Sequence, residues 1–475
     1  MAASMLEVRL SKTTKARCVF AACDLKSGDE ILVEEPYAIS LSTYQDRCDY
    51  CFSDRNKLLR CSRCKCQNYC NTSCQRSAWV LHKNECKDLQ RFSPGKPSET
   101  VLLVARLLQL SKKYSKESNS SDDFPCSLSE LQSNHEHFNE QRKKQFVKLL
   151  STLKNYCGDQ LPSNQELLHL FGQVTCNSFN ICDPEMQSIG VGIYLKSSLL
   201  NHSCSPNCTA IFVGTTIHIR AVKAISKGEE CSISYIDLMN PSHIRQRMLQ
   251  EQYYFTCDCT SCQEELLDAE MGSVTCENCS GQVLRRDDTS FQACSACNTQ
   301  VLPTRISEVL HIEEESRSLL EDCDSFSEKL KSKSKGQENW QNLFKLWSKL
   351  SIKQAGVLHI ENVYRVRTVD KLYDVAVNLQ NWTDALYLAQ KVIQSYRKLY
   401  PSFHPLIGVH LLRLAKLQHF LGSFTMAIQY LQQASDIIKV THGLQHELYK
   451  QLEEIQSNCI VEARFYSSDT QDKVN

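Results

Sequence analysis

The rhythm of polar and apolar positions changes several times along the 475 residues. Near the N-terminus, Val19–Ala22 and Glu30–Val33 are short apolar-rich runs separated by the turn sequence Lys26-Ser27-Gly28-Asp29, so residues 1–47 are expected to form short strands. The longest apolar stretch, Val101 to Leu110, contains Arg106. It is too short to span a bilayer and predicts a buried helix. Around it, residues 95–170 are expected to be helical, interrupted by a Ser/Lys-rich loop at 111–124. Strand character returns over 171–237, where CTAIFV and TIHIRAV flank Gly214-Thr215 and predict a hairpin. The stretch AISKGEECSISY echoes DLKSGDEIL, so one turn-and-strand unit is expected twice. From 305 onward the pattern is helical, with a polar linker at 324–339.

The helical region contains a repeat. Trp340, Trp382 and Phe424 recur every 42 residues; Ala385 matches Ala427 and His404 matches His446. Small residues at fixed positions let paired helices approach, and stacked pairs bury a continuous core. This predicts an array similar to tetratricopeptide repeats, with a longer period.

Composition narrows the class. Hydrophobic residues make up 42% and charged residues 23%, as in a globular protein with sizeable cores. Lys+Arg and Asp+Glu are both 54, which argues against nucleic acid as a primary partner. The opening MAASMLEVRLSKTTKAR has no apolar core, so neither a secretory signal nor a membrane association is expected. The 26 cysteines are then expected to be reduced, and paired C-x2-C motifs point to metal rather than disulfides, in the cytoplasm and nucleus. QRKK at 141–144 reads as a solvated helix face.

The first cysteine cluster supplies eight candidate ligands: Cys48, Cys51, Cys61, Cys64, Cys70, Cys74, His82 and Cys86. That is enough for two tetrahedral sites, in a segment too poor in apolar mass to fold alone. A helix is expected over Thr72–Glu85, and Cys66 falls outside the pattern. The order C-x2-C, C-x2-C, C-x3-C, H-x3-C around YCNTSCQRSAW resembles a MYND zinc finger. The resemblance implies interleaved sites, Cys48, Cys51, Cys70 and Cys74 on one zinc and Cys61, Cys64, His82 and Cys86 on the other. It also implies proline-containing peptide partners.

Further on, SSLLNHSCSPNC begins at Ser197, followed by GEECSISYID with Tyr235 and YYFTCDCTSC with Phe255. These motifs resemble the core of SET-domain lysine methyltransferases. With a finger inside the domain and helices after it, nearly the whole chain is similar to the SET and MYND family, and TCNSFNICDPEMQSIGVGIYLKSSLLNHSC is closest to its third vertebrate member. The fold class implied is multidomain α+β: a β-rich SET domain split by a MYND finger, a zinc-bound post-SET region and C-terminal helical repeats. The segments are 1–47 and 171–240 for SET, 48–86 for the finger, 87–170 for a helical insertion, 241–300 for the post-SET region and 301–475 for the repeats.

The activity implied is methyl transfer from S-adenosylmethionine to a lysine of a histone or non-histone protein. Tyr235 matches the catalytic tyrosine. Lys15, Arg17, Asn134, Asn177, Asn201, His202, Tyr235 and Phe255 match cofactor contacts, and Phe179, Tyr253 and Phe255 would line the lysine channel. Methyl transfer needs positioning and a neutral amine more than acid–base machinery, and aromatic walls suit an alkyl chain with a cationic end. The family's G-x-G is absent: Lys15-Ala16-Arg17-Cys18-Val19 stands there, and no Gly precedes Gly28. Side chains where glycine gives room are expected to weaken cofactor binding. Cys257, Cys259 and Cys262 would hold a post-SET zinc with Cys204, or with Cys208 or a downstream Cys. Cys276, Cys279, Cys294 and Cys297 have zinc-ribbon spacing. About four structural zinc ions are expected in a monomeric protein. The reading taken is an enzyme, a protein-lysine N-methyltransferase; the alternative, set by the missing G-x-G, is a catalytically weak or inactive scaffold that recruits partners through its finger and repeats.

Overall fold

The computed structural model describes residues 5–10, 17–42, 47–55, 57–92, 95–114, 127–158, 161–330 and 336–471, without the side chains of 112–114, 322–330, 336 and 465–471. Lys15, Ala16, Cys126 and most of the 111–124 loop lie outside them. The chain divides into two compact units, Met1–Ile233 with Met248–Thr256, and Ser234–Arg247 with Cys257–Asn475. Its breaks fall inside two of the six segments expected from sequence, 171–240 and 241–300.

The strands of the first unit are β1 (Leu6–Leu10), β2 (Arg17–Ala21), β3 (Glu30–Glu34), β4 (Ala38–Leu41), β5 (Leu59–Arg60), β6 (Asn68–Tyr69), β7 (Ser178–Cys182), β8 (Ser188–Ile193), β9 (Asn201–His202), β10 (Cys208–Val213), β11 (Thr216–Ala221) and β12 (Ser232–Ile233). Its helices are α1 (Thr72–Phe92), α2 (Glu99–Tyr114), α3 (Glu140–Cys157) and α4 (Asn164–Asn177). The sheets are small: β1-β2, β10-β11-β3, β4-β8-β7, β12-β9 and β5-β6. The expected hairpin forms at β10–β11, with Val213 opposite Thr216 and Gly214 at φ +63°.

The two echoing segments meet each other. Leu25 and Ile225 exchange both backbone hydrogen bonds, at 2.8 and 3.0 Å. Each is followed by the same turn: Gly28 and Gly228 have φ +95° and +84°. The Asp29 carboxylate accepts from the Lys26 amide at 2.7 Å, and the Glu229 carboxylate from the Ser226 amide at 3.0 Å. One local solution to a left-handed turn is used twice.

Apolar residues of α2 are buried around the helix, and Arg106 is buried with them. Helix α4 is set by a reciprocal cap between Ser163 and Glu166. It runs to Asn177, so the strand character expected from 171 begins only at Ser178. Gly172 explains the continuation: a Cβ there would stand 2.2 Å from Ser133 Oγ, so only glycine lets α4 press on the segment that carries Asn134.

The second unit begins with α5 (Ser242–Tyr253), whose C-terminal half belongs to the first unit, and α6 (Glu265–Met271). Two two-stranded sheets follow: β13 (Val274–Thr275) with β14 (Gln282–Val283), and β15 (Arg285–Asp287) with β16 (Ser290–Phe291). Then come α7 (Pro303–Leu330), α8 (Gly336–Ala355), α9 (Val363–Asn378), α10 (Trp382–Leu399), α11 (Pro405–Phe420), α12 (Phe424–Thr441) and α13 (Glu447–Gln471). The linker expected at 324–339 is largely helix, because α7 continues to Leu330 and α8 starts at Gly336. The 42-residue period has a physical basis for two of its three aromatics. Trp382 and Phe424 each open a helix, whereas Trp340 lies four residues inside α8; Ala385 and Ala427 are fully buried where neighbouring helices press together. His404 and His446 each accept, through Nδ1, the amide two residues on, at 3.4 and 3.2 Å, at the starts of α11 and α13. No helix among the described residues is long and apolar enough to cross a membrane.

Candidate functional site

The cysteine-rich finger places its eight ligands in two groups, Cys48/Cys51/Cys70/Cys74 and Cys61/Cys64/His82/Cys86, each with its ligand atoms within 4.8 Å of one another. This is the interleaved pairing that the resemblance implies. A tetrahedral zinc with bonds of about 2.3 Å to sulfur needs sulfurs about 3.8 Å apart. Cys51–Cys70 is 3.6 Å, Cys51–Cys74 3.9 Å and Cys61–Cys86 3.8 Å. His82 Nε2 lies 3.2 Å from Cys61 Sγ and 3.6 Å from Cys64 Sγ. The donors therefore fit two zinc ions. Burial works against ionising Cys61, yet the Cys64 amide and His82 bring its thiol down to about 6, the side that favours the metal-binding thiolate. Cys66 stays outside both groups, and burial pushes its thiol up.

Beneath His82 lies a buried polar network. Glu85 accepts two bonds from Arg106, at 2.9 and 3.1 Å, and one from Gln67 at 2.8 Å. Burial alone would raise the Glu85 carboxyl, but the Arg106 charge outweighs it and holds the group well below the usual range. Arg106 also donates to the Ile39 carbonyl at 2.5 Å, tying the finger helix to β4 of the SET domain.

The SET motifs converge on one short parallel ladder. β9 pairs with β12, Asn201 beside Ser232 and His202 beside Ile233. Three side chains hold this crossing. Asn207 is buried, donates to the Glu230 carbonyl at 2.8 Å and accepts from the Ser232 amide at 2.8 Å. Asn201 Nδ2 donates to Glu230 Oε1 at 2.7 Å and to Cys18 Sγ at 3.0 Å. Glu34 accepts from the Lys196 and Ser197 amides, both at 2.8 Å, and fixes the turn that delivers Asn201. Asn207 and Glu230 stand inside the quoted motifs NHSCSPN and GEE, but no role was assigned to them from sequence. Glu34 carried no local signal, since its partners lie more than 160 residues away.

The His202 ring is 5.9 Å from Phe255, and its Nε2 is 3.2 Å from Cys204 Sγ. Asn177 ends α4 with its amide donating to the Gln132 and Gln173 carbonyls, at 2.8 and 2.7 Å. Asn134 is left-handed, φ +50°, and its amide points at the Tyr253 carbonyl, 3.4 Å away. Arg17 donates to the Glu130 carbonyl at 2.8 Å. Phe179 meets Tyr194 edge-on at 5.8 Å. Burial pushes the Tyr253 phenol up to about 12, so it stays neutral. Arg17, Asn134, Asn177, Phe179, Asn201, His202, Tyr253 and Phe255 are all half-buried. Amide side chains with an imidazole and a phenyl ring fit a ligand that combines purine, ribose and amino acid. Cys18 is buried in contact with Asn201, so the missing glycine is replaced by a packed thiol.

In the second unit, Tyr235 follows β12 by two residues and is half-buried. Its segment is clamped from the helical array. Tyr400 donates to Asp237 Oδ1 at 2.8 Å, and Arg367 donates to Asp237 Oδ2 at 2.8 Å and to the Met239 carbonyl at 3.0 Å. Cys257, Cys259 and Cys262 also belong to this unit, whereas Cys204 belongs to the first. Cys276, Cys279, Cys294 and Cys297 form a third group with ligand atoms within 4.8 Å. Cys276–Cys297 and Cys279–Cys294 are both 3.5 Å, which fits a zinc ribbon.

The split fold, the parallel ladder and the inserted finger define a SET-domain protein with a zinc module inside its catalytic fold. A SET domain profile matches residues 16–236. Histone-lysine N-methyltransferase SMYD3 of Mus musculus is 32% identical over 447 residues, covering 92% of this chain and 94% of its own. Histone-lysine N-methyltransferase ASHR1 of Arabidopsis thaliana is 31% identical over 455 residues, 92% of each chain. Histone-lysine N-methyltransferase SMYD1 of Homo sapiens is 30% identical over 471 residues, 95% of this chain and 89% of its own. The chain belongs to the SET and MYND domain (SMYD) family.

Proposed function

We propose that the chain is an S-adenosylmethionine-dependent protein-lysine N-methyltransferase acting on histone or non-histone proteins, the activity that its relatives' names carry. The observation that supports it most is the parallel β9–β12 ladder, which sets Asn201 and His202 beside the strand that leads into Tyr235. When bound, S-adenosylmethionine supplies an electrophilic methyl group on a sulfonium. Asn134, Asn177, Asn201, His202, Arg17 and Phe255, with Lys15, would hold it. Phe179, Tyr253 and Phe255 enclose the lysine side chain and exclude water, which lowers the amine's pKa toward the neutral, nucleophilic form. Tyr253 remains protonated and adds no competing charge. Tyr235 orients the amine through its hydroxyl.

The remaining parts serve this reaction. The family resemblance gives Cys204 as the fourth ligand that, with Cys257, Cys259 and Cys262, would hold a structural zinc. The MYND finger takes proline-containing peptides; exposed Tyr50 and Trp79 offer the aromatic surface that extended proline segments favour. The protein works as a monomer in cytoplasm and nucleus, where its thiols stay reduced.

Cys18 supports a second reading, a weakly catalytic scaffold, because its side chain occupies Asn201 where the family has glycine. Calorimetric titration of S-adenosylmethionine into zinc-replete protein separates the two. Micromolar binding lost in His202→Ala, with methyl transfer lost in Tyr235→Phe, supports the enzyme. Absence of binding by the folded, zinc-loaded protein overturns it.

A further inference from the structure

Two non-glycine residues of the first unit adopt the left-handed region beside one another, Asn134 at φ +50° and Tyr254 at φ +64°. Asparagine visits this region readily. Tyrosine does so rarely, and helices that end on a left-handed residue ordinarily place glycine there. Tyr254 follows the last residue of α5, and its amide donates back to the Leu249 carbonyl at 3.0 Å. Tyr253 and Phe255, the aromatic residues assigned above to the lysine channel, stand on either side of this turn.

The Tyr254 side chain anchors the turn. Its ring lies near-parallel to Phe138, with centroids 6.2 Å apart and planes at 25°, and 5.9 Å from the His137 ring. Phe138 is itself buried and meets Phe171 of α4 edge-on at 5.8 Å. The Arg142 guanidinium, in the first turn of α3, stands at the Tyr254 hydroxyl. Two further contacts join the end of α5 to the segment that carries Asn134. The Asn134 amide points at the Tyr253 carbonyl, 3.4 Å away, and the Cys176 sulfur lies 3.6 Å from the Gln252 carbonyl and 3.7 Å from that of Ser133. A strained backbone persists only where its surroundings over-determine it, and such residues gather at binding sites. The Phe255 ring is 5.9 Å from His202, so any change in the turn reaches a candidate cofactor contact.

We propose that Tyr254 is a positioning residue: its ring, held against Phe138 and His137, fixes the left-handed turn that sets Tyr253 and Phe255. What those two residues enclose rests on the methyltransferase reading; the turn rests on geometry alone.

The discriminating variant is Tyr254→Gly. Glycine is the residue that the backbone favours here, so the fold survives and only the ring's hold is lost. Tyr254→Asn, which also tolerates the turn, is read in the same way, and Tyr254→Phe keeps the ring without the hydroxyl. Full-length, zinc-replete protein with 13C-labelled histidine is followed by nuclear magnetic resonance through the His202 ring signal, assigned by its absence from His202→Ala. S-adenosylmethionine is titrated calorimetrically into the same samples. Tyr254→Gly is expected to move the His202 signal and to weaken cofactor binding roughly ten-fold, the order of one misplaced aromatic contact. Tyr254→Phe should restore both. An unmoved His202 signal in Tyr254→Gly overturns the proposal, because the ring would then only stabilise the fold. Unchanged affinity, where the wild type binds, overturns it too. A Tyr254→Phe variant that behaves like Tyr254→Gly gives the role to the hydroxyl and Arg142, and overturns the ring's part. If the wild type binds no S-adenosylmethionine, the methyltransferase reading fails, while the His202 signal still decides the turn.

Discussion

The hydroxyl of Tyr400, at the end of a repeat helix, donates to the carboxylate of Asp237, two residues beyond Tyr235. The helical array thus reaches the segment that carries Tyr235. Arg367 holds the other carboxylate oxygen, so Asp237 is fixed from both sides. Tyr400→Phe and Arg367→Ala should lower kcat, by roughly ten-fold for the arginine, because small displacements of a reacting group are expensive. Affinity for S-adenosylmethionine should stay unchanged. Steady-state kinetics with calorimetry checks this, and an equal loss of cofactor binding would show general unfolding instead.

The Glu85–Arg106 pair is buried and bidentate, and it joins the finger to the SET domain. Arg106→Ala leaves a carboxylate uncompensated and should cost about 3–5 kcal/mol. Urea denaturation reads the loss. Replacing Glu85 and Arg106 together by apolar residues should cost less than Arg106→Ala alone.

Metal analysis by inductively coupled plasma should find about four zinc ions per chain. Cys294→Ser should remove one without touching the finger. A total near two would leave only the finger's sites.

His410 is buried against Tyr373 and Tyr396, and its Nε2 lies 2.9 Å from the Ala389 carbonyl. Burial pushes its pKa down to about 4. As pH falls below about 6.5, the unfolded chain takes up a proton that the folded chain refuses, so stability declines until about pH 4. The full effect is about 3 kcal/mol. Thermal denaturation across this window should show it, and His410→Gln should flatten the slope.

Cys18→Gly removes the thiol that Asn201 now contacts. Cofactor affinity measured by calorimetry should rise. An unchanged value would place the Cys18 side chain outside the cofactor's reach.

Legibility from sequence tracked how local each determinant is. The metal ligands were readable because coordination demands fixed residue types at short spacings, and the Gly214-Thr215 hairpin because its turn chemistry is local. The repeat was readable from Trp382, Phe424 and the two alanines, since helix packing needs small residues at set positions. The end of α4 was missed because Gly172 looks like a breaker until Ser133 is seen beneath it. Glu34, Arg367 and Tyr400 were missed because each acts on a partner more than 100 residues away, and nothing adjacent in the chain marks such a bond.

The exchange of hydrogen bonds between Leu25 and Ile225 has a consequence for birth on the ribosome. At about 5–20 residues per second, the N-terminal strands wait roughly 10–40 s before their partners emerge. During that interval the whole zinc finger and its helical neighbours are already outside the exit tunnel, with all the ligands they need. The finger is therefore able to close before the strands from Ser178 onward arrive, and the sheets they join must assemble around a module that is already finished.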